Sequence, residues 1–65
     1  MITLYSTGCP KCRVLEKKLN QKGINFTIVD DPKEIALLGY TSVPVLKVGN
    51  EYYEFVEANR WINEQ

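Results

Sequence analysis

The sequence contains no histidine and only two cysteines. Two cysteines can form at most one intramolecular disulfide, which is too few to hold together a small secreted domain. A closed tetrahedral zinc site usually takes four cysteine or histidine ligands, so here it would need carboxylates or a second chain. We therefore expect the cysteines to serve chemistry rather than architecture.

Long hydrophobic runs and blocks of one charge are also missing. No segment approaches the roughly 20 apolar residues that span a bilayer, and the first residues form neither a basic leader nor an apolar signal core. Eight Lys and Arg balance eight Asp and Glu, so the basic footprint of a nucleic-acid binder is absent. We expect a cytoplasmic protein that contacts neither membrane nor nucleic acid.

The length of 65 residues predicts one domain over residues 1–65. A domain of this size buries only about 60% of the surface of its unfolded chain, so its core is small and its stability marginal. The composition, 45% hydrophobic and 25% charged, is typical of a soluble globular protein. No linker, repeat or low-complexity tract divides the chain.

The apolar pattern of the first half predicts a βαβ unit. Residues 2–5 form a strand-like segment that ends in a turn, and Pro10 suits the first position of a helix that Gly23 stops. Alternation over residues 24–29 predicts a second strand, with Ile24, Phe26 and Ile28 on one face. A strand, helix and strand in this order give a parallel pair with a right-handed crossover.

The second half predicts a short helix, a hairpin and a final helix. The segment 31–34 resembles a capping box with proline, opening a helix that Gly39 ends. Strands over residues 44–48 and 51–55 face each other across Gly49-Asn50. Ala58, Trp61 and Ile62 share one face of the last helix.

The segment Cys9-Pro10-Lys11-Cys12 carries the chemistry. Cys9 stands at the cap of the predicted helix, and Cys12 lies one turn further on the same face, so the two sulfurs can form a disulfide. Unpaired backbone N–H groups and the positive end of the helix dipole stabilise the Cys9 thiolate, and Lys11 adds to that attraction.

This arrangement predicts that Cys9 is the nucleophile and Cys12 the resolving cysteine. The Cys9 thiolate attacks a partner's disulfide, and Cys12 then attacks Cys9 and releases the reduced partner. Two other interpretations stay open at this point. Cys12 can be a buried helix residue with Cys9 as an incidental neighbour, or the pair can form one edge of a zinc site.

A second segment, Thr41-Ser42-Val43-Pro44, places a proline at the start of a predicted strand. Together, Cys9-Pro10-Lys11-Cys12 and the Val43-Pro44 pair before a hairpin resemble the glutaredoxin branch of the thioredoxin superfamily, over essentially the whole chain. The resemblance implies an α/β, thioredoxin-like fold with a four-stranded mixed sheet flanked by helices. It also implies a cis proline at Pro44 beside the cysteines.

The same resemblance implies the activity and its partners. The chain would be a thiol-disulfide oxidoreductase and a monomer without a bound cofactor, whose Cys9-Cys12 disulfide is reduced by thioredoxin reductase or glutathione. Its substrates would be protein disulfides, with ribonucleotide reductase as one example. They would bind along the backbone of Val43, and the predicted substrate contacts are Lys11, Ser42, Val43 and Pro44.

Two features of glutathione-using members are not intact in this sequence. Those proteins carry a lysine in the turn before the first cysteine and a Gly-Gly-x-x-Asp pattern after the last strand. Here the turn is Ser6-Thr7-Gly8. The later segment runs from Phe55 to Asn59, with Phe55 and Val56 predicted as strand and core residues and Asn59 as a helix-surface residue.

Two alternative functions therefore stay beside protein disulfide reduction. One is glutathione-dependent deglutathionylation. The other is a module that binds zinc or an iron-sulfur cluster between two copies of the chain through Cys9.

Overall fold

The computed structural model describes residues 1–40 and 43–65, so Thr41 and the predicted substrate contact Ser42 lie outside the described residues. The elements are β1 (Ile2–Tyr5), α1 (Pro10–Gln21), β2 (Thr27–Val29), α2 (Pro32–Leu37), β3 (Val45–Val48), β4 (Glu51–Tyr53) and α3 (Phe55–Asn63). No helix within these two ranges has the length and apolar character needed to cross a membrane.

The four strands form one mixed sheet in the order β2-β1-β3-β4. β1 runs parallel to β2 and antiparallel to β3, with Leu4 opposite Ile28 on one side and Leu46 on the other. β3 and β4 form the antiparallel hairpin, in which Leu46 faces Tyr53. The predicted βαβ unit, hairpin and four-stranded mixed sheet are confirmed.

The core lies between one face of this sheet and the helices α1 and α3. Leu15 and Leu19 are one turn apart on α1, and Ala58 and Ile62 are one turn apart on α3, so each helix turns a narrow apolar stripe inward. The buried cluster comprises Leu4, Leu15, Leu19, Leu46, Ala58 and Ile62. Packing of α1 on the sheet fixes the start of this helix at the end of β1.

A lysine ties the two core helices together. The Lys18 ammonium group donates hydrogen bonds to the side-chain oxygens of Asn59 and Asn63, the second at 3.2 Å. These asparagines are one turn apart, so a single cation holds α3 in register on α1. Asn59, predicted as a helix-surface residue, lies on α3 and is partly exposed, and its side chain accepts a hydrogen bond from Lys18.

The second strand is shorter than the sequence predicted. Gly23 adopts a φ of 70° after α1, and the N–H of Ile24 still donates to the carbonyl of Leu19 at 3.0 Å. Strand pairing begins only at Thr27. Ile24 and Phe26 pack against the core, but Ile28 is 47% exposed because β2 is an edge strand.

The last helix begins earlier than predicted. Glu54 is its N-cap, and the N–H of Ala58 donates to the Glu54 carbonyl at 2.8 Å. Phe55 is therefore a helical residue, not a strand residue. Val56 is turned outward and is 68% exposed, so its prediction as a core residue is wrong. Residues 52–56 are mostly aromatic or β-branched. Intrinsic strand propensity alone therefore predicts that the strand continues through Phe55.

The short helix α2 forms as predicted. The Asp31 side chain caps it by accepting a hydrogen bond from the N–H of Lys33 at 2.9 Å. Leu38 is the C-cap, and Gly39 follows with a φ of 79°. None of the residues of α2 is fully buried, so this helix adds little to the core.

Candidate functional site

Cys9 is the N-cap of α1, directly after the turn that ends β1. Its backbone is extended, with φ −68° and ψ 164°, and its Sγ accepts a hydrogen bond from the N–H of Cys12 at 3.3 Å. Pro10 takes the first helical position, where no N–H is needed. The sulfur thus sits where the unpaired N–H groups of the first turn favour a negative charge.

The two cysteines differ in exposure. Both are free thiols; Cys9 is half-exposed and Cys12 is fully buried. A large partner can therefore approach Cys9, while Cys12 lies beneath it within the same helical turn. The structure thus places the two predicted catalytic residues at the N-cap and in the first turn of α1, with Cys9 partly exposed and Cys12 buried.

Ser6 lies at the base of the site and is only 2% exposed. Its N–H donates to the carbonyl of Val29 at 3.0 Å, which continues the pairing of β1 with β2. Its hydroxyl accepts a hydrogen bond from the N–H of Gly8 at 3.2 Å and donates one to Glu16 Oε2 at 3.4 Å. The sequence predicted only that Ser6 belongs to a turn. Its position directly after β1, a central strand of the sheet, is what brings its hydroxyl into the buried region.

The surroundings of Cys12 shift the pKa of its thiol in opposite directions. Burial raises the pKa of Cys12, but hydrogen bonds with the Cys9 side chain, the Ser6 hydroxyl and the backbone of Thr7 and Cys9 lower it. The hydrogen bonds prevail, and the pKa of Cys12 lies below its ordinary value. The site therefore favours the thiolate form of Cys12.

We expect the reduced protein to gain stability over a Cys12→Ser variant as the pH rises. Because the folded-state pKa of Cys12 is lowered, the unfolded chain binds more protons between the folded value and the unfolded thiol value of about 8.5. The contribution is complete above the unfolded value and is lost as the pH falls through the folded one. Urea unfolding of both reduced proteins across this interval measures it; a pH-independent difference would contradict the expectation.

Lys11 is exposed, and its ammonium group lies 5.4 Å from the centre of the Phe55 ring. Such a cation–π contact contributes about 0.5–1 kcal/mol at an exposed position. It joins the start of α3 to the start of α1, so Phe55 borders the cysteine pair. Sequence reasoning did not place Phe55 in the site, because it read this residue as part of a strand.

The Val43-Pro44 peptide bond is cis, as the family resemblance implied. Pro44 is buried and Val43 is half-buried. In the register of β1 with β3, Tyr5 pairs with Val45. The first residue of β3 therefore lies beside the last residue of β1, from which the chain continues to Cys9. The predicted substrate contacts Val43 and Pro44 therefore lie at the same end of the sheet as the cysteines.

The other parts of the described chain provide weaker candidates for a functional site. A shallow depression of about 290 Å³ lies at the opposite end of β1, lined by Met1, Ile2, Asn25, Phe26 and Thr27. Within residues 1–40 and 43–65, no group of three or more His, Cys, Asp or Glu side chains is placed to hold a metal ion. The cysteine pair is therefore the candidate site.

No protein-family model matches this chain, and no curated protein sequence does. Solved structures do match. NrdH-redoxin from Escherichia coli, described as a glutaredoxin-like protein with a thioredoxin-like activity profile, superposes with a TM-score of 0.81 and 21% identity, over 97% of this chain and 91% of that one. A mutant of the thioredoxin-like protein BC3987 gives a TM-score of 0.78 and 20% identity, over 97% and 94% of the two chains.

Glutathione S-transferase III in its apo form is a third structural match. Its TM-score is 0.74 at 28% identity, with 97% of this chain aligned to 34% of that protein. The chain thus corresponds to about a third of the transferase and to nearly all of the two small proteins. The likeness shows a common backbone architecture over almost the whole chain.

Proposed function

We propose that this chain, which has the thioredoxin-like fold with a Cys-x-x-Cys pair, is a thiol-disulfide oxidoreductase that reduces disulfides of partner proteins. One observation carries the proposal. Cys9, a half-exposed residue, is the N-cap of α1, its Sγ accepts a hydrogen bond from the N–H of Cys12 at 3.3 Å, and the free thiol of Cys12 is buried within the same helical turn.

In the proposed reaction the Cys9 thiolate attacks one sulfur of the partner's disulfide. A bond forms between Cys9 and that sulfur, and the other partner sulfur leaves as a thiolate. Cys12 then attacks Cys9, which closes the Cys9-Cys12 disulfide and releases the second partner thiolate. Two electrons pass from the cysteine pair to the partner, and an external donor must reduce the pair again.

We place the substrate at the end of the sheet where β3 begins, beside the backbone that precedes this strand. An extended peptide can form main-chain hydrogen bonds with the backbone around Val43, as an added strand does, and this would hold its disulfide in line with Cys9. The cis Val43-Pro44 bond at this end of the sheet supports the placement. Lys11 and Ser42 remain predicted contacts, and ribonucleotide reductase remains one candidate substrate.

The donor we propose is thioredoxin reductase rather than glutathione, in the reducing cytoplasm. Two contacts support this choice. Phe55 and Val56 stand where glutathione-using proteins carry glycines, and the Phe55 ring is covered by Lys11. Asn59 stands in place of the aspartate and is engaged by Lys18 between the helices. The structurally similar NrdH-redoxin is described as thioredoxin-like in its activity profile.

Insulin disulfide reduction with two donor systems tests the proposal. One contains NADPH and thioredoxin reductase, and the other contains NADPH, glutathione and glutathione reductase. We expect catalytic turnover with thioredoxin reductase and background rates with glutathione. Turnover with glutathione alone would support the deglutathionylation alternative, and no turnover with either donor would refute disulfide reduction.

A further inference from the structure

We propose that Tyr52 is a positioning residue for the protein substrate, because its ring holds Tyr40 and thereby the chain that leads into Val43. This inference rests on the proposed function, in which an extended peptide pairs with the backbone around Val43. The two tyrosines act through Val43, so they affect how the peptide binds and not how Cys9 reacts.

Tyr52 lies on the face of the sheet that α1 and α3 do not cover. In the β3–β4 hairpin, Tyr52 is opposite Lys47 and Tyr53 is opposite Leu46. Successive side chains of a strand point to opposite faces of its sheet. Leu46 belongs to the buried cluster with residues of α1 and α3, so Lys47 and Tyr52 lie on the other face, where Tyr52 is 38% exposed.

Two contacts hold the Tyr52 ring on this face. The Lys47 ammonium group lies 5.6 Å from the centre of the ring, which is a cation–π distance. The centre of the Tyr40 ring lies 6.2 Å from that of Tyr52, with the two planes inclined by 37°, within the range of favourable aromatic pairs. The edge strand β4 thus anchors Tyr40, a half-buried residue that precedes β3 in the chain.

The backbone of Val43 is held differently on its two sides. After it, Pro44 is buried and β3 is paired with both β1 and β4. Before it comes α2, none of whose residues is fully buried, so this helix holds the chain only loosely to the core. The contact of Tyr40 with Tyr52 supplies a fixed point on that weaker side.

The short distance along the chain makes this fixed point effective. Tyr40 precedes Val43 by three residues, which span at most about 10–11 Å when fully extended. A peptide that binds through main-chain hydrogen bonds needs the N–H and carbonyl of Val43 in one place, and freedom that is lost only on binding weakens the complex. We therefore expect the anchored Tyr40 to strengthen peptide binding.

Capture of two different disulfides by the reduced protein tests this expectation. One probe is a short extended peptide whose cysteine carries a nitrothiobenzoate disulfide, and the other is dithiobis-nitrobenzoate, which has no backbone to pair as a strand. Attack by Cys9 releases the same coloured thiolate from both probes, so stopped-flow absorbance gives a second-order rate constant for each. The ratio of the peptide rate to the small-reagent rate measures the contribution of peptide binding, and no external donor is needed.

Tyr52→Leu should lower this ratio about five-fold, which corresponds to about 1 kcal/mol for the loss of an aromatic pair. The rate with dithiobis-nitrobenzoate should stay unchanged. Tyr52→Phe should keep the wild-type ratio, because the ring is retained. Phe26→Leu is the matched control: Phe26 is a half-buried aromatic residue at the opposite end of β1, and its loss should leave the ratio unchanged even if the protein becomes less stable.

A double-mutant cycle assigns the effect to the contact itself. Tyr40→Leu should lower the ratio as much as Tyr52→Leu, and the double variant should lower it no further, since both changes remove the same contact. Tyr40 lies outside the strands, so its variant carries the test if Tyr52→Leu disrupts the hairpin. Unchanged ratios in both single variants, additive losses in the double variant, loss in Tyr52→Phe or an equal loss in Phe26→Leu would overturn the inference. Wild-type rates with both probes no faster than those of an ordinary peptide thiol would instead refute the proposed function itself.

Discussion

Replacement of Cys9 by serine is expected to reduce disulfide reduction to the background rate. A serine hydroxyl at this helix cap keeps the hydrogen bond from the N–H of Cys12, which Cys9 Sγ accepts at 3.3 Å. It is not ionised near neutral pH, however, and it cannot form a mixed disulfide. The buried thiol of Cys12 cannot replace it, because a partner does not reach that sulfur. Insulin reduction with thioredoxin reductase measures the loss.

The Cys12→Ser variant is the matched comparison, since it changes the other sulfur by the same single atom. It should still capture a substrate disulfide at Cys9 but should not resolve it. The trapped adduct is visible as a mass increase on non-reducing analysis and disappears on addition of dithiothreitol. Capture by Cys9→Ser, with none by Cys12→Ser, would reverse the assigned roles of the two cysteines.

Replacement of Leu46 by alanine is expected to remove a large part of the stability of the fold. Leu46 is fully buried on β3, opposite both Leu4 and Tyr53. Truncation of a buried leucine costs about 2–5 kcal/mol through lost burial and the cavity left behind. At roughly 0.05–0.15 kcal/mol per residue, a domain of this size has only about 3–10 kcal/mol in total. Urea unfolding followed by circular dichroism measures the change.

Leu37→Ala gives the matched control for that experiment. Leu37 is 81% exposed on α2, so the same truncation should change the free energy of unfolding by no more than about 0.5 kcal/mol. Equal losses for the two leucines would mean that the core is not organised around β3 as described.

Most of the secondary structure was predictable because its signals are local. The strand Ile2–Tyr5 and the helix beginning at Pro10 have the predicted starting points, since a proline at the first helical position and a glycine after the last turn act within a few residues. The boundary at Phe55 was not predictable in this way. Strand preference continues through the segment, and the packing of Ala58 and Ile62 on the sheet decides in favour of the helix.

The cysteine pair could be predicted from the sequence alone, because an N-cap residue and a residue three positions later always lie within the same first turn of a helix. The surroundings of that pair were decided by the tertiary structure. Ser6 meets Glu16 across ten residues, and Lys18 meets Asn59 across 41. Helical periodicity specifies contacts within a turn, but contacts at these separations exist only once α1 has packed on the sheet and α3 on α1. For this reason the sequence determined where the two sulfurs lie, and only the fold decided which groups surround them.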